Sequence, residues 1–155
     1  MLENGALTGN DNANADPEIL VAIGELATSI GSADITEIEF ITTAFDVSAG
    51  GSIQVRVRFN EEVDVTGTPQ LTVVNDSRAN HTLTYASGTG SNELVFSLTI
   101  AAGGGVIAED DELSIGANAT ALNGGTIKDK GTSTVSTITN AAGVGTAAGT
   151  ITVVA

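Results

Sequence analysis

The residues of this 155-residue chain that could do chemistry lie in a few short stretches. FNEEVDVTGTPQLTV, from Phe59 to Val73, carries Glu61, Glu62 and Asp64. Glu109, Asp110, Asp111 and Glu112 form a second acidic run. Carboxylates in such numbers could ligate Ca2+, but a calcium loop sets its oxygens at fixed intervals around a glycine turn, and neither run has that spacing. Solvated turns at strand ends are the simpler reading, although a site assembled across loops, with Asp11 and Asp16 joining it, stays open. GGTIKDKG, from Gly124 to Gly131, repeats Gly and Lys without the spacing or the following helix of a phosphate-binding loop.

Composition narrows the chemistry further. There is no cysteine, so disulfides, thiolate metal sites and cysteine nucleophiles are excluded. His81 is the single histidine, which removes multi-histidine metal sites and leaves a serine triad little to rest on. His81 shares strand parity with Leu83 and Tyr85 and reads as a packed or rim side chain; a pH switch would need a partner that the sequence does not reveal. Paired-carboxylate sugar hydrolysis needs two acids facing across a cleft, and the stacking aromatics of such clefts are scarce at 3%. The expectation is a protein that is not an enzyme, with no catalytic residues, no cofactor and no metal.

The formal charge of −14 disfavours nucleic acid and anionic membrane surfaces as partners and leaves a protein surface as the expected one. The longest apolar-rich run, Ile19 to Ile23, is too short to span a bilayer. No secretory signal is legible after Met1, so if Met1 is the start, Sec-type export is not expected.

Two kinds of element must position these residues. Residues 1–33 read as an N-terminal arm: a polar Asn/Asp/Gly-rich stretch, then DPEILVAIGELATSIG, where Asp16 can cap, Pro17 suits the first helical position and Gly31 the exit. The spacing predicts a helix over 17–30 with Ile19, Ile23, Leu26 and Ile30 in one stripe, the candidate partner-binding surface. From residue 34 to 155 the apolar period is two. It is clearest in Ile53, Val55, Val57 and Phe59 and in Leu94, Phe96, Leu98 and Ile100. Further strands are expected around Ile38–Phe40, Leu71–Val73, Leu83–Tyr85, Leu113–Ala117, Thr126–Lys128 and Ala148–Val154, with turn clusters between them. Thr132 to Gly149 is weakly patterned, with room for one poor strand over 134–139 or a loop. About seven or eight short strands without helical spacing between them predict an all-β, antiparallel immunoglobulin-like β-sandwich.

FNEEVDVTGTPQLTV, YASGTGSNELVFSLTI and LNGGTIKD, in this order and at similar spacing, resemble the immunoglobulin-like repeat of large bacterial surface adhesins and cyanobacterial motility-associated surface proteins. The likeness covers about Thr36 to Gly131. It places Phe59 at the end of an inward series, Glu61 and Glu62 where that strand leaves the sheet, and Gly67 and Pro69 at a corner. Two features depart from the pattern: Asp129 is followed by Lys130-Gly131-Thr132, and the module is solitary, with an arm before it. A solitary module with an arm resembles the Ig-like domains of phage virion proteins, capsid decoration or cement proteins among them. The resemblance implies a structural role on a virion, with the major capsid protein or another virion subunit as partner; a homo-oligomer is compatible with it. The alternative it implies is one repeat of an exported adhesin at the bacterial cell surface, acting as spacer or contact module, with or without Ca2+.

Overall fold

The structure, a computed structural model, describes residues 32–103 and 105–155. The predicted helix over 17–30, with Ile19, Ile23, Leu26 and Ile30, lies outside the described residues, as do Asp11 and Asp16. The compact unit that is described runs from Ser32 to Ala155.

Its chain is all-β apart from one short helix. The strands are β1 (Ile35–Phe40), β2 (Phe45–Asp46), β3 (Gly51–Thr66), β4 (Gln70–Asn75), β5 (His81–Ser87), β6 (Ser91–Ile100), β7 (Glu112–Ser114), β8 (Thr120–Ala121), β9 (Thr126–Asp129) and β10 (Ile151–Val154), with α1 (Ala142–Thr146) before the last. Hydrogen-bonded neighbours run β9-β3-β6-β5-β4-β7-β10-β2, while β1 pairs with β3 and β8 with β4. Most pairs are antiparallel, but β10 and β2 run parallel, Val153 opposite Phe45, so the expected purely antiparallel arrangement is corrected to a mixed sheet. The path curls, because its last strand, β2, packs beside β3, the second strand from the other end.

Strict alternation builds the core. In β3 the inward set Ile53, Val55, Val57 and Phe59 is buried, while Gln54, Arg56 and Arg58 face outward. Opposite them on β6, Leu94 pairs with Val57 and Phe96 with Val55. Leu71, Val73, Leu83, Leu113, Ile151 and Val153 complete the interior. Each such burial contributes roughly 1.5–3 kcal/mol of transfer free energy, which is why the alternation fixes the register. Tyr85 meets Phe96 edge to face, with ring centroids 6.2 Å apart.

β3 is longer than its apolar run announces. The sequence places Glu61 and Glu62 where the strand leaves the sheet; the structure carries β3 through both to Thr66. One edge of β3 exchanges partners there, pairing with β1 up to Phe59 and with β9 from Val63 to Thr66, while the other edge pairs with β6 up to Arg58 and again at Val63, opposite Ser91. The β5–β6 hairpin tip continues that edge past Val63, with Gly90 N–H donating to Val63 carbonyl oxygen at 2.7 Å and Val65 N–H to Thr89 Oγ1 at 2.8 Å. Tyr85 Oη accepts Thr89 N–H at 2.9 Å and so fixes the tip.

The turn after β3 depends on glycine. Gly67 has φ +72°, and a Cβ there would lie 2.8 Å from Gly125 Cα, so the Val-Thr-Gly-Thr-Pro corner and the Asn-Gly-Gly turn meet backbone to backbone. The Thr/Ala/Gly-rich segment after Thr132 is ordered rather than a linker: it bridges Lys128 through Val135 and Asp34 through Thr137, then forms α1. A Cβ on Gly145 would lie 2.4 Å from Ile115 carbonyl oxygen, so α1 rests directly on the 115–116 backbone. Asn140 secures that seat by donating to Gly116 carbonyl oxygen at 3.0 Å and accepting from Ala119 N–H at 2.9 Å.

Candidate functional site

The polar groups with the most chemical potential meet at one end of β4 and β5. Asn75 and His81 both occupy inward positions, beside the pair Val73 and His81, so strand parity carries two polar side chains into the end of the core. Asp111 joins them because it shares parity with Leu113 and Ile115, all three buried. Of the run Glu109 to Glu112, Asp111 alone is buried, at 3% exposed, and the other three are exposed. Asp110, with φ +71°, turns the chain into that position.

Asn75 organises the cluster. Its Oδ1 accepts the N–H groups of Ser77 and Arg78, both at 3.0 Å, and thereby shapes the loop between β4 and β5. Its Nδ2 then faces Asp111 Oδ2 at 2.9 Å and His81 Nε2 at 3.1 Å. Because the amide nitrogen can only donate, Nε2 of His81 is the acceptor and the ring proton sits on Nδ1. Burial lowers the His81 pKa below its usual value, while Asp111 pulls it upward less strongly. A neutral ring agrees with the hydrogen-bond pattern. Asp111 Oδ2 also accepts Ala108 N–H at 3.0 Å and pairs with Arg78 Nε at 3.1 Å. The neighbouring Asp76 ties the same loop to β7, its Oδ1 accepting Glu112 N–H at 2.9 Å. Together these contacts clamp the 75–81 loop to the turn before β7.

The acidic stretch of β3 behaves differently. Glu61 has the inward parity of Phe59 and Val63 and meets Asp129, which is 2% exposed on the inward side of β9. The hydrogen bond from Glu61 to Asp129 raises the Glu61 pKa, with burial and the charges of Asp129 and Asp34 acting in the same sense. Asp129 is held below the usual carboxylate range by Thr132 N–H first, at 2.7 Å, and then by Glu61. The two carboxyls thus act on each other in opposite senses, Glu61 holding its proton more readily and Asp129 less. Glu62 points away and pairs with Lys130 at 3.2 Å, and Asp64 stands opposite Lys128. Glu61, Glu62 and Asp64 therefore do not converge, and among the described residues no three His, Cys, Asp or Glu side chains are grouped so as to hold a metal ion.

The outer face of β1, β3 and β6 carries an ion-pair lattice. Arg58 reaches Glu37 at 2.7 Å and Glu93 at 2.6 Å, while Arg56 pairs with Glu39. Its hydrogen bond to Glu93 raises the Arg58 pKa above the usual guanidinium value. Half-exposed lattices of this kind contribute little to stability, but they order the surface and engage both arginines. GGTIKDKG forms β9 and its flanking turns, with Lys130 bound to Glu62 and to Gly90 carbonyl oxygen.

The polar cluster borders a cleft of about 510 Å³ lined by Arg78, Asn80, His81, Leu98 and Val106 among others. The sequence places His81 on a packed or rim face and Asp111 in an acidic run that reads as a solvated turn; the structure buries Asp111 instead and adds Asn75, which the sequence does not single out. Parity with Leu113 and Ile115 was the signal that singles out Asp111 within its acidic run. Compared with protein-family models, with curated proteins and with solved structures, the chain shows no match.

Proposed function

We propose that this chain is a non-enzymatic structural module: an Ig-like β-sandwich body that binds a protein partner through its N-terminal arm, as a phage virion component of the capsid decoration or cement class. The observation that carries this reading is the state of the polar clusters. Asn75 and Asp111 direct their side chains at loop backbone and at each other, and Asp129 accepts the Thr132 N–H of the turn after β9, so they brace surface loops. A braced body with a charged, ordered outer face suits a part that is displayed rather than one that turns over a substrate.

The body also manages its edges. β1 has β3 as its strand partner, with Thr137 bridging Asp34 and α1 packed alongside. β2 is two residues long. Short or covered edges discourage strand addition, which favours the arm over the sheet as the route of association. On a symmetric lattice, many modest arm contacts sum to firm attachment. The partner is the major capsid protein or another virion subunit.

The second reading, one repeat of an exported adhesin, draws support from the motif residues themselves. The Gly67 corner and the Tyr85–Thr89 hairpin lock, on which the resemblance rests, both have fold-forming roles. Removal of residues 1–31 tests the arm. The cut stops short of Ala33, which is fully buried and whose carbonyl accepts Thr137 N–H at 2.8 Å. The truncated body is expected to unfold cooperatively and to lose co-sedimentation with particles. Retained co-sedimentation would eliminate the arm mechanism.

A further inference from the structure

The cleft beside the polar cluster offers an occupant hydrogen-bond donors against apolar walls. Arg78 is bound to Asp111 through Nε, and neither of its terminal nitrogens has a partner among the described residues. His81, 6% exposed, forms part of the wall; its Nε2 is engaged by Asn75, so the group it can offer an occupant is Nδ1–H. Asn80 uses its Oδ1 to accept Asn75 N–H at 3.4 Å, which leaves its amide nitrogen as a third donor. The remaining lining, Ala79, Thr82, Leu98, Gly105 and Val106, is mostly apolar, chiefly through Leu98 and Val106, the latter 58% exposed.

From this geometry we infer that the cleft is a binding site for a small carboxylate carrying an apolar chain. The carboxylate would accept from the Arg78 terminal nitrogens and from His81 Nδ1–H, and the chain would lie along Leu98 and Val106. Charge complementarity selects the anion. Asp111 is the buried acid behind the cluster, but its Oδ2 is already occupied by Ala108 N–H, Asn75 Nδ2 and Arg78 Nε, so the exposed side of Arg78 is the positive end of the pair. The volume, about 510 Å³, lies in the range of small-molecule sites. The chain's overall charge of −14 opposes any anion at long range, so binding is expected at physiological salt, where screening confines that repulsion to about 8 Å.

The test uses the full chain with hexanoate as the carboxylate and hexanamide as its neutral counterpart, followed by NMR. His81 is the only histidine, so its ring signals are unambiguous. Saturable shifts of the His81 ring and of Leu98 and Val106 methyls with hexanoate are expected, with hexanamide binding about tenfold weaker or worse. Arg78→Gln should weaken hexanoate binding by about tenfold while leaving hexanamide unchanged. Should that variant fold poorly, Val106→Asp at the exposed rim adds a carboxylate where the ligand's chain would lie, and is expected to abolish binding with the fold intact. Equal affinity for hexanamide, hexanoate binding that survives both substitutions, or no saturable shift of His81 would each overturn the assignment.

Discussion

Replacing Asn75 with Ala removes four hydrogen bonds in one step. Two are the loop N–H groups of Ser77 and Arg78, whose residues are exposed, so water takes over part of that role and each loss costs about 0.5 kcal/mol. The bond to the Asp111 carboxylate is charge-assisted and costs about 1.5–3 kcal/mol, and the His81 Nε2 bond, left facing a void, about 1 kcal/mol. Asp111 keeps Ala108 N–H and Arg78 Nε, which limits the damage to about 3–4 kcal/mol. That is a large share of the 5–15 kcal/mol typical of a domain and corresponds to a Tm drop of about 10 °C or more. Urea denaturation gives the free energy, and hydrogen exchange at Ser77, Arg78 and Ala108 locates it. Asn75→Asp is the sharper control, because it conserves volume and the loop-facing acceptor while turning the donor into a second carboxylate against Asp111. Its loss at pH 7 should match or exceed that of Asn75→Ala. A change under about 0.5 kcal/mol in both variants, or unchanged exchange in the loop, would refute the claim that this cluster braces it.

Three further outcomes follow from the same physics. Because burial lowers the His81 pKa in the folded chain, the unfolded chain binds more protons just below the ordinary value of 6.5, and stability should fall as pH drops from there until the folded pKa is passed. Denaturation midpoints measured in a Glu61→Gln background isolate this slope, and a flat profile would contradict the buried neutral ring. Glu61 has the opposite sign: its raised pKa supplies stability that is complete below 4.5 and is lost as pH rises through the folded value. Glu61→Gln, which can still donate to Asp129, should therefore match the parent near pH 4 and exceed it at pH 7; a pH-independent difference would refute the coupling of the two carboxyls. Gly145→Ala should lower Tm despite the better helix propensity of Ala, since its Cβ would lie 2.4 Å from Ile115 carbonyl oxygen, and an unchanged or higher Tm would mean that α1 does not rest on that backbone.

Much of the fold was legible because one physical signal, period-two burial, dominates it. Ile53 to Phe59 and Leu94 to Ile100 declare β3 and β6 outright. The signal fails where burial and polarity part company. Glu61 keeps inward parity between Phe59 and Val63, yet its carboxyl hides the continuation of β3, so the apolar pattern ends at Phe59 while the strand runs on to Thr66. β2 and β8 have two residues each, too few to show a period. α1, spelled AGVGT, carries two glycines and no cap side chain, so it forms by resting on Ile115 and Gly116 rather than by propensity. The candidate site was hidden for a different reason. Asn75 and Asp111 are 36 residues apart, and their meeting is a product of β4–β7 pairing, which local pattern does not encode.

Mass spectrometry of purified particles and of cell envelopes, prepared from a culture that makes this protein, tests the central functional claim most directly. The virion reading predicts peptides of the chain in the particle fraction at a fixed ratio to the major capsid protein. Peptides confined to the envelope or to the soluble fraction, with none in particles, would contradict it.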